Sequence, residues 1–315
     1  MLKFIAKRIG YMFITLFVII SITFFLMNTL PGSPIENGAK RLPEQVRVNM
    51  MKKWGLDQPI QKRYVMYLKN LIKGDLGESI ITPGLSAKSV IKDKFPASAR
   101  LGLQAVFFGL VIGIVLGIIA ALKKNSWVDY SVMVTAIIGV SVPSFVLAAL
   151  LQKALGGKFL PVIGWPSENV WFSGFEYTIL PTIALCMGNI AIFARYMRTS
   201  VLDTLSQDYI LTAEAKGVSN IGVVRGHILR NSLIPIITIL GPQIAGVLTG
   251  SFVIEKIFSI PGLGQYFVES ITGRDYTMIM ATTLFFSFLF IVALLVVDIL
   301  YVIIDPRIRL MDGKK

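Results

Sequence analysis

The sequence has one cysteine, one histidine and few acidic residues. The scarcity of cysteine and the scarcity of histidine each exclude a class of site. Cys186 stands alone in an apolar run, so neither an intrachain disulfide nor a cluster of thiolate ligands can form. His227 is also alone, which excludes a His-Glu-x-x-His zinc site and a histidine-based catalytic triad with a plausible serine elbow. The closest approach to an ATP-binding P-loop, Gly156-Gly157-Lys158-Phe159, ends in the wrong residue. We therefore expect no catalytic residue, metal ligand or cofactor in this chain.

The composition is that of a membrane protein. Hydrophobic residues make up 54% of the 315 residues, charged residues make up 16%, and the mean hydropathy is +0.70. The net charge of +13 could suit nucleic acid, but basic residues that flank apolar spans are also what membrane orientation requires, so we expect no nucleic-acid partner. Residues 1–30 begin with Lys3, Lys7 and Arg8 and continue into an apolar run without a cleavage pattern, which predicts a retained span.

Six apolar runs are each long enough to cross about 30 Å of hydrocarbon as a helix. Their patterns lack the ten-residue alternation of membrane β-barrels, so the predicted fold class is an all-α membrane protein with six transmembrane helices. Asp298 is the one charged residue inside a run, and we expect it to pair with a cation near the end of its helix. The predicted spans are residues 9–30, 101–122, 129–152, 177–195, 232–254 and 278–304.

Basic residues predict the orientation of these spans. They concentrate in the N-terminus, the 123–124 turn, the segment 195–231 and the C-terminus, whereas the short loops on the other side hold fewer, among them Lys158, Lys256 and Arg274. Because Lys and Arg are enriched in cytoplasmic loops, both termini and the 195–231 segment are predicted to be cytoplasmic. The chain then divides into a first helix at 1–30, an external segment at 31–100 and a five-helix core at 101–315.

The external segment is predicted to be structured. Val46, Met50, Met51 and Trp54 follow near-helical spacing and precede Gly55, a residue suited to a helix end. A second helix is predicted from about Pro59 to Lys73. These pieces could form a small external cap or a connector that lies on the lipid, and the sequence leaves both open.

Small residues and prolines recur within the predicted spans. The glycines at 109, 113 and 117 repeat every four residues, and such a stripe allows two helices to approach closely in lipid. Prolines at 143, 181, 235 and 242 predict local kinks.

A polar segment at 195–231 separates the fourth and fifth predicted spans. Helix-forming residues run from Tyr209 to Lys216, and Gly217 follows where a helix end needs positive φ. A second helix is predicted after Ser219, a suitable N-cap, and runs toward Pro235. The segment therefore predicts two short helices joined by a tight turn, which could serve either as a plain connector or as a docking site.

The residues of this segment resemble the cytoplasmic loop of permease subunits of ABC importers, and more narrowly of the peptide and nickel branch. The general importer signature begins Glu-Ala-Ala and places its glycine six residues after the Glu. Here Leu211 stands six residues before Gly217, a departure that favours the narrower branch. The matching residues are Asp208-Tyr209, Thr212-Ala213, Ala215-Lys216-Gly217, His227, Arg230-Asn231 and Pro235.

Landmarks of the first of the two permeases in such systems recur along nearly the whole chain. They are Arg8, Pro31-Gly32-Ser33-Pro34, Gly55-Leu56-Asp57-Gln58-Pro59, Gly74-Asp75-Leu76-Gly77-Glu78-Ser79, Ser141-Val142-Pro143-Ser144-Phe145, Leu180-Pro181-Thr182, Ala194-Arg195-Tyr196-Met197-Arg198, the run from Glu255 to Gly264, and Asp305-Pro306-Arg307.

The resemblance implies a multi-pass subunit of a bacterial or archaeal inner membrane that has no ATPase site of its own. Its implied partners are a second permease, two cytoplasmic ATPases that carry ATP and Mg²⁺, an extracytoplasmic substrate-binding protein and membrane lipid. The implied cargo is a di- or oligopeptide, with nickel as the alternative. A membrane assembly factor that recruits a partner without transport is the alternative from another class.

The resemblance also implies roles for three groups of residues. The first would couple the chain to the ATPases, the second would brace that loop, and the third would face the substrate path. The coupling group is Asp208, Tyr209, Thr212, Ala213, Glu214, Ala215, Lys216 and Gly217; the bracing group is Arg225, His227, Arg230 and Asn231; the substrate-path group is Glu255, Pro261, Gly262 and Gly264.

Overall fold

The computed structural model of the chain describes residues 2–29, 44–166, 171–248 and 252–304. The regular structure within these ranges is helical, with two isolated β-bridges. Two of the sequence landmarks, Pro31–Pro34 and Asp305–Arg307, lie outside the described residues. The helices are α1 Leu2–Thr29, α2 Glu44–Lys53, α3 Ile60–Ile72, α4 Ala87–Leu122, α5 Trp127–Ser141, α6 Ser144–Leu155, α7 Phe175–Leu205, α8 Asp208–Ala215, α9 Asn220–Val223, a π-helical turn Val224–Ile228, α10 Leu229–Leu248, α11 Phe252–Ile257, α12 Leu263–Gly273 and α13 Tyr276–Ile304.

The two helices predicted in the external segment are present. α2 is followed by Gly55, which has a φ of +63° and so ends the helix as predicted. α3 begins after Pro59, whose missing N–H costs nothing at a helix start. α3 packs against α1, where the hydroxyls of Ser21 and Tyr64 lie 2.6 Å apart.

The second predicted span, 101–122, is the C-terminal part of a longer helix. α4 has 36 residues and begins at Ala87, because Ala87, Val90 and Ile91 recur at helical spacing and pack in a buried cluster with residues of α12 and α13; the helix continues through Pro96. Its glycine stripe contacts α7 closely, as predicted. A Cβ added at Gly113 would lie 2.9 Å from the carbonyl oxygen of Ile190, and one at Gly117 would lie 2.6 Å from that of Ala194. Only glycine allows the two backbones to pack at this distance.

The third predicted span, 129–152, is wrong as a single helix. It consists of α5 and α6, which meet at an angle of 103°. Val142 between them is extended, with φ −83° and ψ 119°, because Pro143 disfavours the helical conformation of the residue before it and supplies no N–H.

Four helices within the described residues are long and apolar enough to cross a membrane, namely α1, α4, α7 and α13, and the bent pair α5–α6 makes up to five. α10 covers most of the predicted 232–254 run. Six transmembrane helices and the orientation of the termini remain predictions. The cation expected for Asp298 is Arg8 of α1, whose guanidinium nitrogen lies 3.1 Å from the carboxylate.

Candidate functional site

The short helix predicted in the polar segment is α8. Asp208 lies in its first turn, where a carboxylate interacts favourably with the helix dipole. At the other end, Gly217 has a φ of +76° and the N–H of Val218 donates to the carbonyl of Ala213 at 3.2 Å. This is the hydrogen bond of a Schellman motif, so the predicted glycine stop is confirmed.

The second helix of the polar segment begins as predicted and extends further than predicted. The Ser219 hydroxyl accepts a hydrogen bond from the N–H of Gly222 at 3.3 Å and so caps α9. α9, the π-helical turn and α10 follow without a break, through Pro235 and Pro242. The second helix of the polar segment and the fifth predicted span therefore form one continuous helical rod, residues 220–248.

α8 is fixed to the bundle by two apolar side chains. Ile210 and Ala213 are 2% and 6% exposed and belong to a buried cluster with residues of α7 and of the rod. The cluster includes Met197 and Val201 of α7 and Ile228 of the π-helical turn. Burial of Ile210 contributes on the order of 2 kcal/mol to this attachment. α8 is therefore packed against both α7 and the rod.

Polar contacts reinforce the attachment. The Asn231 amide donates to the Tyr209 hydroxyl at 2.8 Å, and the Tyr209 ring lies 6.4 Å from that of His227. Below α8, the hydroxyls of Thr204 on α7 and Ser232 on the rod are buried and 3.0 Å apart. These contacts join α7, α8 and the rod into one unit.

The face of α8 that does not pack against α7 and the rod is exposed. Leu211 is 63% exposed, an unusual exposure for a leucine on a helix that buries its neighbour Ile210. The other exposed coupling residues are Asp208, Tyr209, Thr212, Ala215, Lys216 and Gly217. Ala213 is not among them, because it packs inside the chain, and the side chain of Glu214 lies outside the described part. Sequence reasoning assigned no role to Leu211, although an apolar residue in a polar segment was a signal.

The four residues predicted to brace the loop divide into two pairs. His227 and Asn231 contact Tyr209. Arg225 and Arg230 are exposed. Arg225 and His227 both lie in the π-helical turn, a local widening that often occurs at functional sites.

A buried ion pair, which sequence reasoning missed, joins α5 to α7. Both carboxylate oxygens of Asp129 accept from the Arg198 guanidinium, at 2.5 and 2.6 Å, and Asp129 is 1% exposed. The N–H of Asn125 donates to the same carboxylate at 3.0 Å, so the turn between α4 and α5 is also bound to Asp129. Bidentate geometry of this kind fixes orientation as well as distance. Arg198 is one turn before Val201, so the ion pair lies beside the α8 attachment.

The residues predicted for the substrate path form a second, buried cluster. Glu255 on α11 is fully buried, and its carboxylate accepts from the Ser98 hydroxyl at 2.7 Å and from the N–H of Gln265 at 2.8 Å. Ser98 also accepts from the N–H of Leu263 at 2.9 Å. Burial raises the pKa of the Glu255 carboxyl. Hydrogen bonds from Ser98 and from the backbone lower this pKa, but the effect of burial is larger. A Cβ at Gly262 would overlap the Glu255 carboxylate.

This cluster joins the 255–265 turn to α4 and is called the Glu255 clasp below. Glu255, Gly262 and Gly264 are buried, so they hold the turn and present no surface to a substrate in this conformation. Pro261 is exposed and lines an open cavity of about 290 Å³ together with Lys94, Lys256 and Glu269.

Comparison with known proteins gives the family. The model of the family described as binding-protein-dependent transport system inner membrane component matches residues 113–310, and the N-terminal model of the same family matches residues 1–99. The chain belongs to this permease family. The dipeptide transport system permease protein DppB of Bacillus subtilis is 45% identical over 98% of this chain and 99% of its own length. The oligopeptide transport system permease protein OppB of Haemophilus influenzae is 41% identical over 98% of this chain and its full length.

The α8 cluster and the Glu255 cluster both pack on α7. Met197 and Val201 of α7 pack in the cluster that holds α8, and Leu180 and Ala184 of α7 pack in the cluster that contains Ile254, next to Glu255. Leu180 and Val201 are 21 positions apart, which corresponds to about 32 Å of helix. α7 is therefore one continuous helix that contacts both clusters.

Proposed function

We propose that this permease is one of two membrane subunits that form the translocation path of an ATP-driven importer of di- and oligopeptides. The observation that carries the proposal is the 45% identity, over nearly the full length of both chains, with a dipeptide transport permease. The relatives named for dipeptides and oligopeptides favour peptide over nickel as the cargo. Membership of a transport family favours a translocation subunit over an assembly factor.

The proposed arrangement has six spans with both termini in the cytoplasm of a bacterium or archaeon. The rod from α9 through α10, the fifth span along the chain, would be added to α1, α4, the bent pair α5–α6, α7 and α13 to make six. In this orientation α8 lies on the cytoplasmic face and the Glu255 clasp lies on the outer face. The enrichment of Lys and Arg around α8 and at both termini supports it.

Cytoplasmic ATPase subunits would bind the exposed face of α8. Leu211 offers an apolar anchor, Tyr209 offers an aromatic surface with a polar tip, and Asp208, Lys216 and Arg225 form a charged rim. The ATPases would bind ATP and Mg²⁺, and their closure would displace α8. Because Ile210 and Ala213 fix α8 to α7 and to the rod, that displacement would become a rigid-body movement of the bundle.

The outer face would respond to the same movement. α7 links the coupling helix to the region of the Glu255 clasp, so a change at one end biases the conformation at the other. An external binding protein would deliver the peptide to this face, where Pro261, Lys94 and Lys256 line the open cavity. Both lysine ammonium groups can attract the carboxylate of a peptide.

The proposal is tested by reconstituting the chain with its copurifying subunits and binding protein in liposomes and measuring ATP-dependent uptake of a labelled dipeptide. A Leu211→Glu variant should retain its folding, because this side chain is exposed, and should lose uptake. Ile72→Glu is the matched control, since Ile72 is 87% exposed on α3 of the external segment. Uptake by the Leu211→Glu complex at the control rate would contradict the docking role, and absence of uptake by the unmodified complex would contradict peptide transport.

A further inference from the structure

A groove of about 490 Å³ separates α1 from α13 over part of their length. Most of its walls are apolar, formed by one face of each helix. Both helices are among those apolar enough to span a membrane, so the groove opens toward the lipid phase. The residues that define its length and ends are Arg8, Thr15 and Ile19 on α1 and Phe286, Leu294 and Asp298 on α13.

Contacts between α1 and α13 mark both ends of the groove. Beyond Ile19, Ile20 and Phe24 of α1 are buried and pack with Met280 of α13, so the two helices are in direct contact there. At the other end the Arg8–Asp298 ion pair, at 3.1 Å, joins the helices across the mouth of the groove. α1 and α13 therefore contact each other at two levels and leave a bounded space between them.

The length of the groove matches one leaflet of a membrane. Arg8 and Ile19 are 11 residues apart, which corresponds to about 16 Å along the helix. Half of the hydrocarbon thickness of a bilayer is about 15 Å. A transmembrane helix of a partner subunit needs the whole thickness and a path about 10 Å wide, and the Ile20, Phe24 and Met280 contact blocks it at mid-depth. A lipid acyl chain needs one leaflet only.

The charge at the mouth is positive. Lys7 and Arg8 are adjacent at this end of α1, and Asp298 is the one carboxylate that lines the groove among the described residues. The Arg8 side chain is 46% exposed while it holds Asp298, and the Lys7 ammonium lies 5.8 Å from the centre of the Tyr11 ring. Basic groups at the membrane edge of a groove between helices are suited to a lipid phosphate.

We propose that this groove is a binding site for an anionic glycerophospholipid, with one acyl chain between α1 and α13 and the phosphate beside Lys7 and Arg8. The lipid fills the space that would otherwise lack packing contacts. It holds α1, which is otherwise mostly exposed, against the remainder of the bundle.

Native mass spectrometry of the full chain, purified in detergent, tests the site with dioleoylphosphatidylglycerol and dioleoylphosphatidylcholine as probes. The unmodified chain should retain one phosphatidylglycerol molecule at a probe concentration where phosphatidylcholine is lost. Leu294→Trp fills the groove and should abolish this retention. Val296→Trp is the matched control, because Val296 is on the same helix, is 48% exposed and does not line the groove.

A charge variant tests the headgroup separately. Lys7→Gln leaves the Arg8–Asp298 pair intact and should weaken phosphatidylglycerol retention roughly fivefold, since one basic residue near an anionic lipid contributes about that factor. Lys124→Gln, a change at an exposed lysine in the α4–α5 turn, should leave retention unchanged. Equal retention of the two lipids, or the same loss in both tryptophan variants, would identify non-specific annular lipid and overturn the proposal.

Discussion

At the scale of single residues, Gly217 ends α8 in a conformation that other residues rarely adopt. Its φ is +76°, and a Cβ at this position would meet no heavy atom within 4 Å, so the requirement is one of backbone conformation alone. Asparagine tolerates the left-handed region, whereas a β-branched residue does not. The turn that follows α8 therefore depends on a property of the backbone and not on packing.

The effect of substituting Gly217 should therefore depend on whether the new residue tolerates the left-handed conformation. Gly217→Val should cost about 2 kcal/mol at the turn and lower ATP-dependent uptake severalfold, whereas Gly217→Asn should remain close to the unmodified chain. Gly226→Val serves as control, because Gly226 also has open space around it but lies in the π-helical turn with ordinary φ. The measurement is dipeptide uptake in liposomes at equal amounts of inserted protein, and equal impairment by all three changes would refute the conformational reason.

Glu255 is the second residue whose environment gives a specific prediction. Burial raises the pKa of its carboxyl, so the folded chain binds this proton more tightly than the unfolded chain. Linkage then requires that this contribution to stability is present at pH values below the unfolded pKa and is lost as the pH rises through the folded pKa. The sign is opposite to that of a salt-bridged carboxylate.

The thermal unfolding midpoint of the chain in detergent should therefore fall more steeply with rising pH, from about pH 4.5 upward, than that of Glu255→Gln. The amide of the variant cannot titrate, so the difference between the two curves isolates this residue. Glu269→Gln is the control, since Glu269 is exposed and lies near the same clasp. Parallel curves for the unmodified chain and Glu255→Gln would show that the carboxyl does not titrate differently on folding.

At the scale of helices, the contact between α4 and α7 rests on the glycine stripe. A side chain at Gly113 would meet Phe193 at 2.7 Å and the backbone of Ile190 at 2.9 Å, neither of which can move without shifting α7. We expect Gly113→Val to destabilise the fold by about 1–3 kcal/mol or more through overpacking and to reduce the yield of folded protein. Ile112→Val on the exposed face of α4 should have little effect. Monodispersity in size-exclusion chromatography after heating distinguishes the two, and a stable Gly113→Val protein would contradict the close contact.

Helix ends were predictable from sequence where the signal is local. Gly55, Gly217 and Ser219 each specify a cap through their own backbone preference or hydroxyl, and the structure places helix boundaries at all three. At Pro143 the sequence predicted a local kink within one span, whereas the structure ends one helix there and begins another. A proline within an apolar run can kink a helix or end it, and the 103° angle depends on the helices that pack around the break.

At the scale of the whole molecule, the contacts that hold distant segments together were not predictable. Asp129 and Arg198 are 69 residues apart, and Ser98 and Glu255 are 157 residues apart. No local pattern pairs them, because each partner is selected by the three-dimensional packing of long helices. The landmark segments of the resemblance contain Arg198 and Glu255 but neither Asp129 nor Ser98, and they did not reveal that Glu255, Gly262 and Gly264 are buried inside a clasp. The short helix α8 was predictable because its signals are local, whereas the burial of Ala213 on it depends on α7 and the rod, and its coupling role stays a prediction.

The orientation of the whole chain can be tested through its two exposed turns. Cys186 is buried, so a Cys186→Ser background leaves an introduced cysteine as the one reactive thiol among the described residues. With cytoplasmic termini, Thr82→Cys in the external segment should react with a membrane-impermeant maleimide in intact cells. Asn125→Cys in the α4–α5 turn, at an equally exposed position, should react only after the membrane is permeabilised. Labelling in the reverse order would place α8 outside the cell, where no ATP-binding subunit could reach it, and both the topology and the coupling role would then be wrong.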